Sequence, residues 1–224
     1  MKEDSISNIG EVILKGSLGA RLDSIIANHV GATDVDYITA PFLEKTERRG
    51  WWQTEFWGKW MHAAIPYLEY CHDEKLAAKV VRGVERILAS QEECGYIGNY
   101  PDELRCGEGW DIWGIKYTLM GLMHYYDWVE RANGKNRINE DSRPTAESVL
   151  EAAKRLCDYV IGEIGPNGRR GRALWETGAG CGGDGLRRGR ALEAGGILSR
   201  FLCKAPGGAA KRCKPELRDL LGAD

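Results

Sequence analysis

The sequence lacks the segments that would carry it into or across a membrane. No run of apolar residues approaches the length of about 18 residues that a membrane span needs. Residues 1–15 contain acidic side chains and no uninterrupted apolar core of signal-peptide length. We therefore expect a cytoplasmic protein that has no export signal and no membrane partner.

Motifs for metals and nucleotides are also missing. The seven cysteines include no C-x-x-C pair, which argues against a zinc ribbon and favours reduced thiols. The histidines His29, His62, His72 and His124 have no spacing typical of a metal site or a catalytic triad. The glycine-rich run at 178–185 lacks the Gly-Lys-Ser/Thr ending of a phosphate-binding loop. The sequence therefore predicts no metal and no cofactor.

Positive charge is scarce over most of the chain. Residues 1–164 contain 19 Lys and Arg against 27 Asp and Glu, and residues 165–224 contain 12 against 6. These counts give formal charges of -8 and +6, which sum to the -2 of the whole chain. Because nucleic-acid binding needs a basic face, the acidic body argues against a nucleic-acid partner.

Two kinds of helical pattern alternate along the chain. Residues 55–71 and 112–129 are apolar around most of the helix circumference, which indicates helices enclosed by others. Residues 74–91 and 144–164 each have one apolar stripe and an opposite charged face. Pro66 predicts a kink or an early end of the first enclosed helix. This alternation is typical of an (α/α) toroid, in which outer helices surround an inner ring.

The segment before these helices is less regular. Residues 9–29 predict a helix that is interrupted near Gly16 and Gly19. Residues 31–50 contain Pro41 and many polar side chains, and they predict a long connection.

The fold prediction is an all-α, incomplete (α/α) toroid of helical hairpins over residues 1–166. At about 55 residues per hairpin, six hairpins need more than 300 residues, so 224 residues cannot close a ring. Residues 167–224 predict an irregular, basic, Gly/Arg-rich stretch, with a helix only at 215–221. This stretch is either a tail of the fold or sequence that is not native to it.

Two short segments repeat each other 56 residues apart. Residues 55–60 and 111–117 each contain an acidic residue, an apolar residue, Trp-Gly, and then lysine beside an aromatic residue. This period fits two successive helical hairpins. An acid beside Trp-Gly at the start of each inner helix predicts a rim that contacts sugars. The connection over 92–110 is expected to share that rim, because it leads into the second segment.

Seven residues form the predicted substrate-binding set: Glu55, Trp57, Tyr96, Trp110, Asp111, Trp113 and Lys116. Their aromatic rings either stack on sugar rings or fill the core. The carboxylates of Glu55 and Asp111 have three possible roles. They accept hydrogen bonds from sugar hydroxyls, act as an acid and base for glycosidic cleavage, or stabilise helix starts as first-turn acids. No catalytic residue is assigned.

Longer motifs surround these residues. They are Trp57-Gly58-Lys59-Trp60, then Gln91 followed by Gly95-Tyr96-Ile97-Gly98-Asn99-Tyr100, then Trp110-Asp111-Ile112-Trp113-Gly114 with Lys116-Tyr117 and Gly121-Leu122. With these motifs the sequence resembles glycoside hydrolase family 127, the β-L-arabinofuranosidase-like proteins. The resemblance covers about residues 10–166. It implies an N-terminal (α/α)6 catalytic toroid, which in the family is often followed by β-sandwich domains.

The resemblance does not extend to the family's catalytic centre. Characterised members are similar in using a cysteine nucleophile and a zinc ion held by a glutamate and cysteines, all later in the chain. No residue here is assigned to those roles, because Cys181 lacks the surrounding motif. A histidine that is typical of the third-helix segment is missing around residues 113–117. The family zinc site is therefore not expected in this chain.

The resemblance implies the N-terminal portion of a glycoside hydrolase acting on plant-type, arabinofuranoside-like glycosides, and inactive as an isolated fragment. Its expected partners are an oligosaccharide or glycoside, and a second copy that associates through exposed inner helices. The alternative is a non-catalytic carbohydrate-binding or scaffold α/α fragment. A third hypothesis is another α/α enzyme, such as an unsaturated-uronide hydrolase or a sugar epimerase.

Overall fold

The computed structural model describes residues 12–45, 50–107, 109–133, 143–164 and 168–169, and these form helices and loops without a strand. The helices are α1 (Gly16–Ile25), α2 (Val35–Glu44), α3 (Glu55–Cys71), α4 (Glu74–Ala89), α5 (Asp111–Asn133) and α6 (Ala146–Ile164). A π-helical turn (Ile26–Val30) continues α1, and 3-10 turns occupy Trp51–Thr54 and Asp102–Leu104. The all-α prediction is confirmed.

Some predictions fall outside this description. The predicted irregular stretch over 167–224, with the glycine-rich run, Cys181 and the helix at 215–221, lies outside the described residues except for 168 and 169. Among the described helices, none combines the length and the apolar character that crossing a bilayer requires.

Helix α4 forms as its sequence pattern predicts. The Asp73 carboxylate accepts hydrogen bonds from the backbone N–H groups of Lys75 and Leu76, at 2.7 and 3.0 Å. This arrangement caps the helix start, which would otherwise leave these donors without a partner. The apolar stripe of α4 is buried in the core.

Helix α2 lies where the sequence predicted a connection. Asp34 caps its start by accepting a hydrogen bond from the Tyr37 N–H at 3.1 Å, and Pro41 lies inside the helix. Packing on α4 explains why the segment is helical, because Val35 and Phe42 are buried in the core and Val35 lies against Gly83 of α4. At the surface, Asp36 also accepts two hydrogen bonds of 2.7 Å from Arg82. Tertiary contacts here outweigh the local turn signals.

Helices α3 and α5 lie side by side and run in the same direction. Four contacts between the helices occur in the same order along both of them, which shows the common direction. They join Glu55 with Trp113, Lys59 with Tyr117, His62 with His124, and Glu69 with Arg131. Helix α3 continues through Pro66 to Cys71 without the predicted early end.

Glycines allow this close approach of α3 and α5. A methyl group at Gly58 would overlap the backbone carbonyl of Tyr117, and one at Gly114 would overlap the Thr54 hydroxyl. The glycines of the repeated Trp-Gly segments therefore serve helix packing.

Helices α2, α4 and α6 pack on one side of the α3–α5 pair. Trp57 is fully buried there, against the Phe42 ring at 6.4 Å and beside Gly83 and Gly121. The opposite side of α3 and α5 is half-exposed. The prediction that both helices are enclosed all round therefore holds on one side only.

Candidate functional site

The half-exposed side of α3 and α5 is the main candidate surface, and we call it the open face. Its residues recur at helical spacing along both helices. They are Glu55, Phe56, Lys59, His62, Ala63 and Tyr67 on α3, and Trp113, Lys116, Tyr117, Met120, Met123, His124 and Asp127 on α5. The face combines aromatic rings, ammonium groups, imidazoles and carboxylates.

Glu55 joins the two helices at one end of the open face. Its carboxylate accepts a hydrogen bond from the indole N–H of Trp113 and forms an ion pair with Lys59 at 2.8 Å. The Glu55 side chain retains 14% exposure and that of Lys59 44%. Both charged groups are therefore reached by solvent, and each is a strong hydrogen-bonding partner.

Lysine ammonium groups occupy the aromatic faces beside Glu55. Lys116 Nζ lies 4.5 Å from the centroid of the Trp113 ring, and Lys59 Nζ lies 5.0 Å from that of Tyr117. These distances are within the range of cation–π attraction. Trp110 packs edge-on against Trp113, at 6.5 Å between centroids, and is 45% exposed. Of these rings, Trp110 offers the widest surface for stacking.

The predicted set of seven thus divides into two groups. Glu55, Trp110, Trp113 and Lys116 meet at one end of the open face. The other three, Trp57, Tyr96 and Asp111, have at most 2% exposure. Their burial agrees with the alternative that aromatic residues of this set fill the core, and it places these three side chains away from the solvent-reached end of the open face.

Asp111 holds the connection over 92–110 against the start of α5. One carboxylate oxygen accepts a hydrogen bond from the Tyr96 hydroxyl at 2.6 Å, and the other accepts one from the Cys106 N–H at 2.8 Å. The Tyr96 oxygen in turn accepts a hydrogen bond from the Tyr100 N–H at 3.1 Å. Asp111 therefore acts as an internal anchor for this loop.

Burial controls the acidity of this anchor. It raises the pKa of Asp111 to about 6, although the hydrogen bonds from Tyr96 and Cys106 act in the opposite direction. Burial, reinforced by the neighbouring Asp111 charge, also raises the pKa of Tyr96 well above its usual value. Desolvation disfavours the charged form of each group, so the tyrosine remains a neutral donor.

A second clamp holds the other side of the same loop. Arg105 binds Glu92 through two hydrogen bonds, at 2.7 and 2.9 Å, and its guanidinium lies 3.8 Å from the centroid of the Tyr96 ring. Lys45 pairs with Glu92 at 3.2 Å. Burial alone would raise the pKa of Glu92, but the two cations hold it below its usual value.

The Gln-x-x-x-Gly-Tyr turn, residues 91–96, is closed by hydrogen bonds from the Gln91 side chain. The Gln91 amide donates to the carbonyls of Gly95 and Ala152, both at 2.9 Å. Gly95 has φ of +95°, and a methyl group there would overlap the Arg155 carbonyl. Its conformation and close approach both require glycine. This turn therefore fastens the loop to α6.

His62 and His124 form a pair that the sequence did not predict. The Nδ1 atom of His62 lies 2.8 Å from the Nε2 atom of His124, and the ring centroids are 4.8 Å apart. The parallel alignment of α3 and α5 produces this contact between residues 62 positions apart. A spacing of that length lies outside every local metal or triad motif, so only the fold could identify it.

The comparisons with known proteins leave the site to be interpreted from its own chemistry. No family model, no curated protein and no solved structure matches this chain. The motif resemblance to glycoside hydrolase family 127 therefore stays a prediction. Within the described ranges, no group of three or more His, Cys, Asp and Glu side chains is placed to hold a metal ion.

Proposed function

We propose that the open face binds a carbohydrate, and that the chain is an N-terminal portion of a glycoside hydrolase acting on plant-type glycosides. The observation that carries this proposal is the Glu55–Trp113 contact between two helices on a solvent-reached surface. Sugar sites combine aromatic platforms with a small number of oriented polar groups. The end of the open face at Glu55 has both.

We propose the following placement of a sugar ring. Trp110 supplies the stacking surface, because its indole is 45% exposed beside Trp113. Glu55 accepts hydrogen bonds from ring hydroxyls, and Lys59 donates to ring or hydroxyl oxygens. The Lys59–Glu55 ion pair opens when the sugar binds, and each charged group then bonds to the sugar. Opening a surface ion pair costs little free energy.

An incomplete (α/α) toroid is the arrangement we propose around this site. Two features support it: α3 and α5 are parallel neighbours, and the helix that follows each of them in the chain, α4 or α6, packs against it. Successive hairpins of a toroid have this relationship. In a closed ring the open face would line the interior, and further helices would supply the rest of that lining.

The second candidate function is carbohydrate binding without bond cleavage. The burial of Asp111 favours it, because both oxygens of this carboxylate already accept hydrogen bonds from the protein. Glycosidic cleavage commonly uses two carboxyl groups facing the scissile bond. Under this second proposal Asp111 acts as a structural anchor and does not pair with Glu55 at the sugar.

Calorimetric titration of the full chain with arabinofuranosyl oligosaccharides tests the proposal. We expect saturable binding that Glu55→Gln weakens about tenfold, because one charge-assisted hydrogen bond is lost. Glu69→Gln is the matched control. Glu69 is also an α3 carboxylate that contacts α5, through Arg131 at 2.6 Å, so its loss should leave the binding constant unchanged.

The outcomes separate the candidates. Binding with release of free sugar supports the hydrolase, and binding without release supports the non-catalytic module. Absence of binding to neutral and acidic plant oligosaccharides, or equal weakening in both variants, would contradict the carbohydrate proposal.

A further inference from the structure

We propose that His62 and His124 form a binding site for a divalent transition-metal ion of the zinc type. This site lies on the open face, one turn of α3 beyond Lys59. Imidazole nitrogen is the commonest protein ligand for such ions. Nothing in the sequence spacing pointed to it.

The distance between the two nitrogens suits chelation by one ion. Nδ1 of His62 and Nε2 of His124 are 2.8 Å apart. Metal–nitrogen bonds of about 2.1 Å at a right angle separate the two nitrogens by about 3.0 Å, and a tetrahedral angle separates them by about 3.4 Å. The observed 2.8 Å therefore lies within about 0.2 Å of the first geometry, and reaches the second when the nitrogens move apart by about 0.6 Å.

The α3–α5 pair holds the two imidazole rings close together before a metal binds. Each ring is carried by a helix, and the helices are fixed to each other by the contacts of Glu55 with Trp113 and Glu69 with Arg131 on either side. Folding therefore already holds the two imidazoles together, and metal binding does not bear that entropy cost. His62 is exposed, so its ring can turn toward the ion without displacing core side chains.

Binding of the ion replaces the hydrogen bond between the rings. In the metal-free pair, one of the two facing nitrogens carries a proton and the other accepts it. When the ion binds, the donating ring moves that proton to its other nitrogen, so both rings bind as neutral imidazoles. Two protein ligands leave the remaining coordination positions for water or another oxygen ligand from the solvent side.

Nitrogen NMR of the full chain labelled with ¹⁵N-histidine tests the proposal, because the chain has only four histidines. Zinc chloride is added in the presence of a non-thiol reductant. We expect the signals of His62 Nδ1 and His124 Nε2 to shift together and to saturate at one equivalent. His29 and His72 serve as internal controls and should not move.

Variants and stability give a second readout. His62→Gln should remove the zinc response of His124, and His72→Gln should leave it intact. Because the ion binds the folded pair, a hundredfold excess over Kd should raise Tm by about 5–10 °C in the parent and not in His62→Gln. The proposal is overturned if His62 and His124 do not respond together, if all four rings respond equally, or if His124 still saturates in His62→Gln.

Discussion

The carboxylate of Glu55, the first residue of α3, accepts a hydrogen bond from the indole N–H of Trp113 in the first turn of α5. This single contact joins both copies of the repeated Trp-Gly segment. It also lies beside Lys59, on the solvent-reached side of the helix pair. The contact therefore bears on both the stability of the pair and the chemistry of the open face.

The first prediction concerns the strength of this contact. Trp113→Phe and Glu55→Gln should each lower the free energy of unfolding by about 1–2 kcal/mol, since the first removes the donor of this charge-assisted hydrogen bond and the second removes the charge of its acceptor. The double variant should lose less than the sum, and urea unfolding of all four proteins measures the coupling. Strict additivity would show that the two side chains act independently.

The second prediction concerns the glycines between α3 and α5. Gly58→Ala should destabilise the protein by about 1–3 kcal/mol, because the new methyl group overlaps the Tyr117 carbonyl. Gly162→Ala in α6 is the matched control. A methyl group there meets no atom within 4 Å, so better helix propensity should stabilise the protein by about 0.5–1 kcal/mol. Similar effects of both changes on thermal unfolding would refute the close-packing role of Gly58.

The third prediction concerns pH. The folded-state pKa of Asp111 is about 6, above the about 3.9 of an unfolded aspartate, so the folded state binds this proton more tightly. Its stabilising contribution is complete below about pH 4 and is lost as the pH rises to about 6. The difference in unfolding free energy between the parent and Asp111→Asn should therefore fall by about 2–3 kcal/mol from pH 4 to pH 7.

Denaturant unfolding at several pH values measures this difference. Other carboxyl groups titrate alike in both proteins, so their contributions cancel. A difference that stays constant with pH would mean that Asp111 titrates normally in the folded protein.

The fourth prediction concerns the loop anchor. Tyr96→Phe removes the donor to Asp111 and the acceptor for the Tyr100 N–H, and should cost about 2–4 kcal/mol because two buried groups lose a partner. Hydrogen exchange over residues 92–110 should become faster. Tyr159→Phe is the control, since the Tyr159 hydroxyl takes no part in the hydrogen bonds that join Asp111 to Tyr96, Tyr96 to Tyr100 and Asp111 to Cys106. Equal effects of the two changes would contradict the anchor.

The sequence predicted the parts of the fold that local chemistry determines. The Asp73 cap and the single apolar stripe of α4 were readable because both act within one helix. Helix α2 was not predicted, because Pro41 and its polar neighbours resemble a connection until α4 supplies Arg82 to Asp36. Local signals cannot report a partner that is about 46 residues away.

The sequence predicted only some of the residues that lie together on the open face, and their role in sugar binding stays a prediction. The sequence predicted a sugar-contacting role for Trp57 and Trp113 alike, because both belong to Trp-Gly segments. In the structure Trp57 is enclosed by α2, α4 and α5, whereas Trp113 is half-exposed. Which side of a helix meets its neighbours follows from packing, and residue type alone does not decide it. The His62–His124 pair was missed for the same reason, because it exists only in the register between two helices.

The parallel alignment of α3 and α5 has a consequence for insertions and deletions. Each added residue turns the following part of a helix by about 100° and advances it by about 1.5 Å. One extra residue between Gly58 and His62 would carry the imidazole around the helix and separate Glu69 from Arg131 at the same time. Changes in chain length within either helix should therefore be far less tolerated than substitutions, even though both helices border solvent.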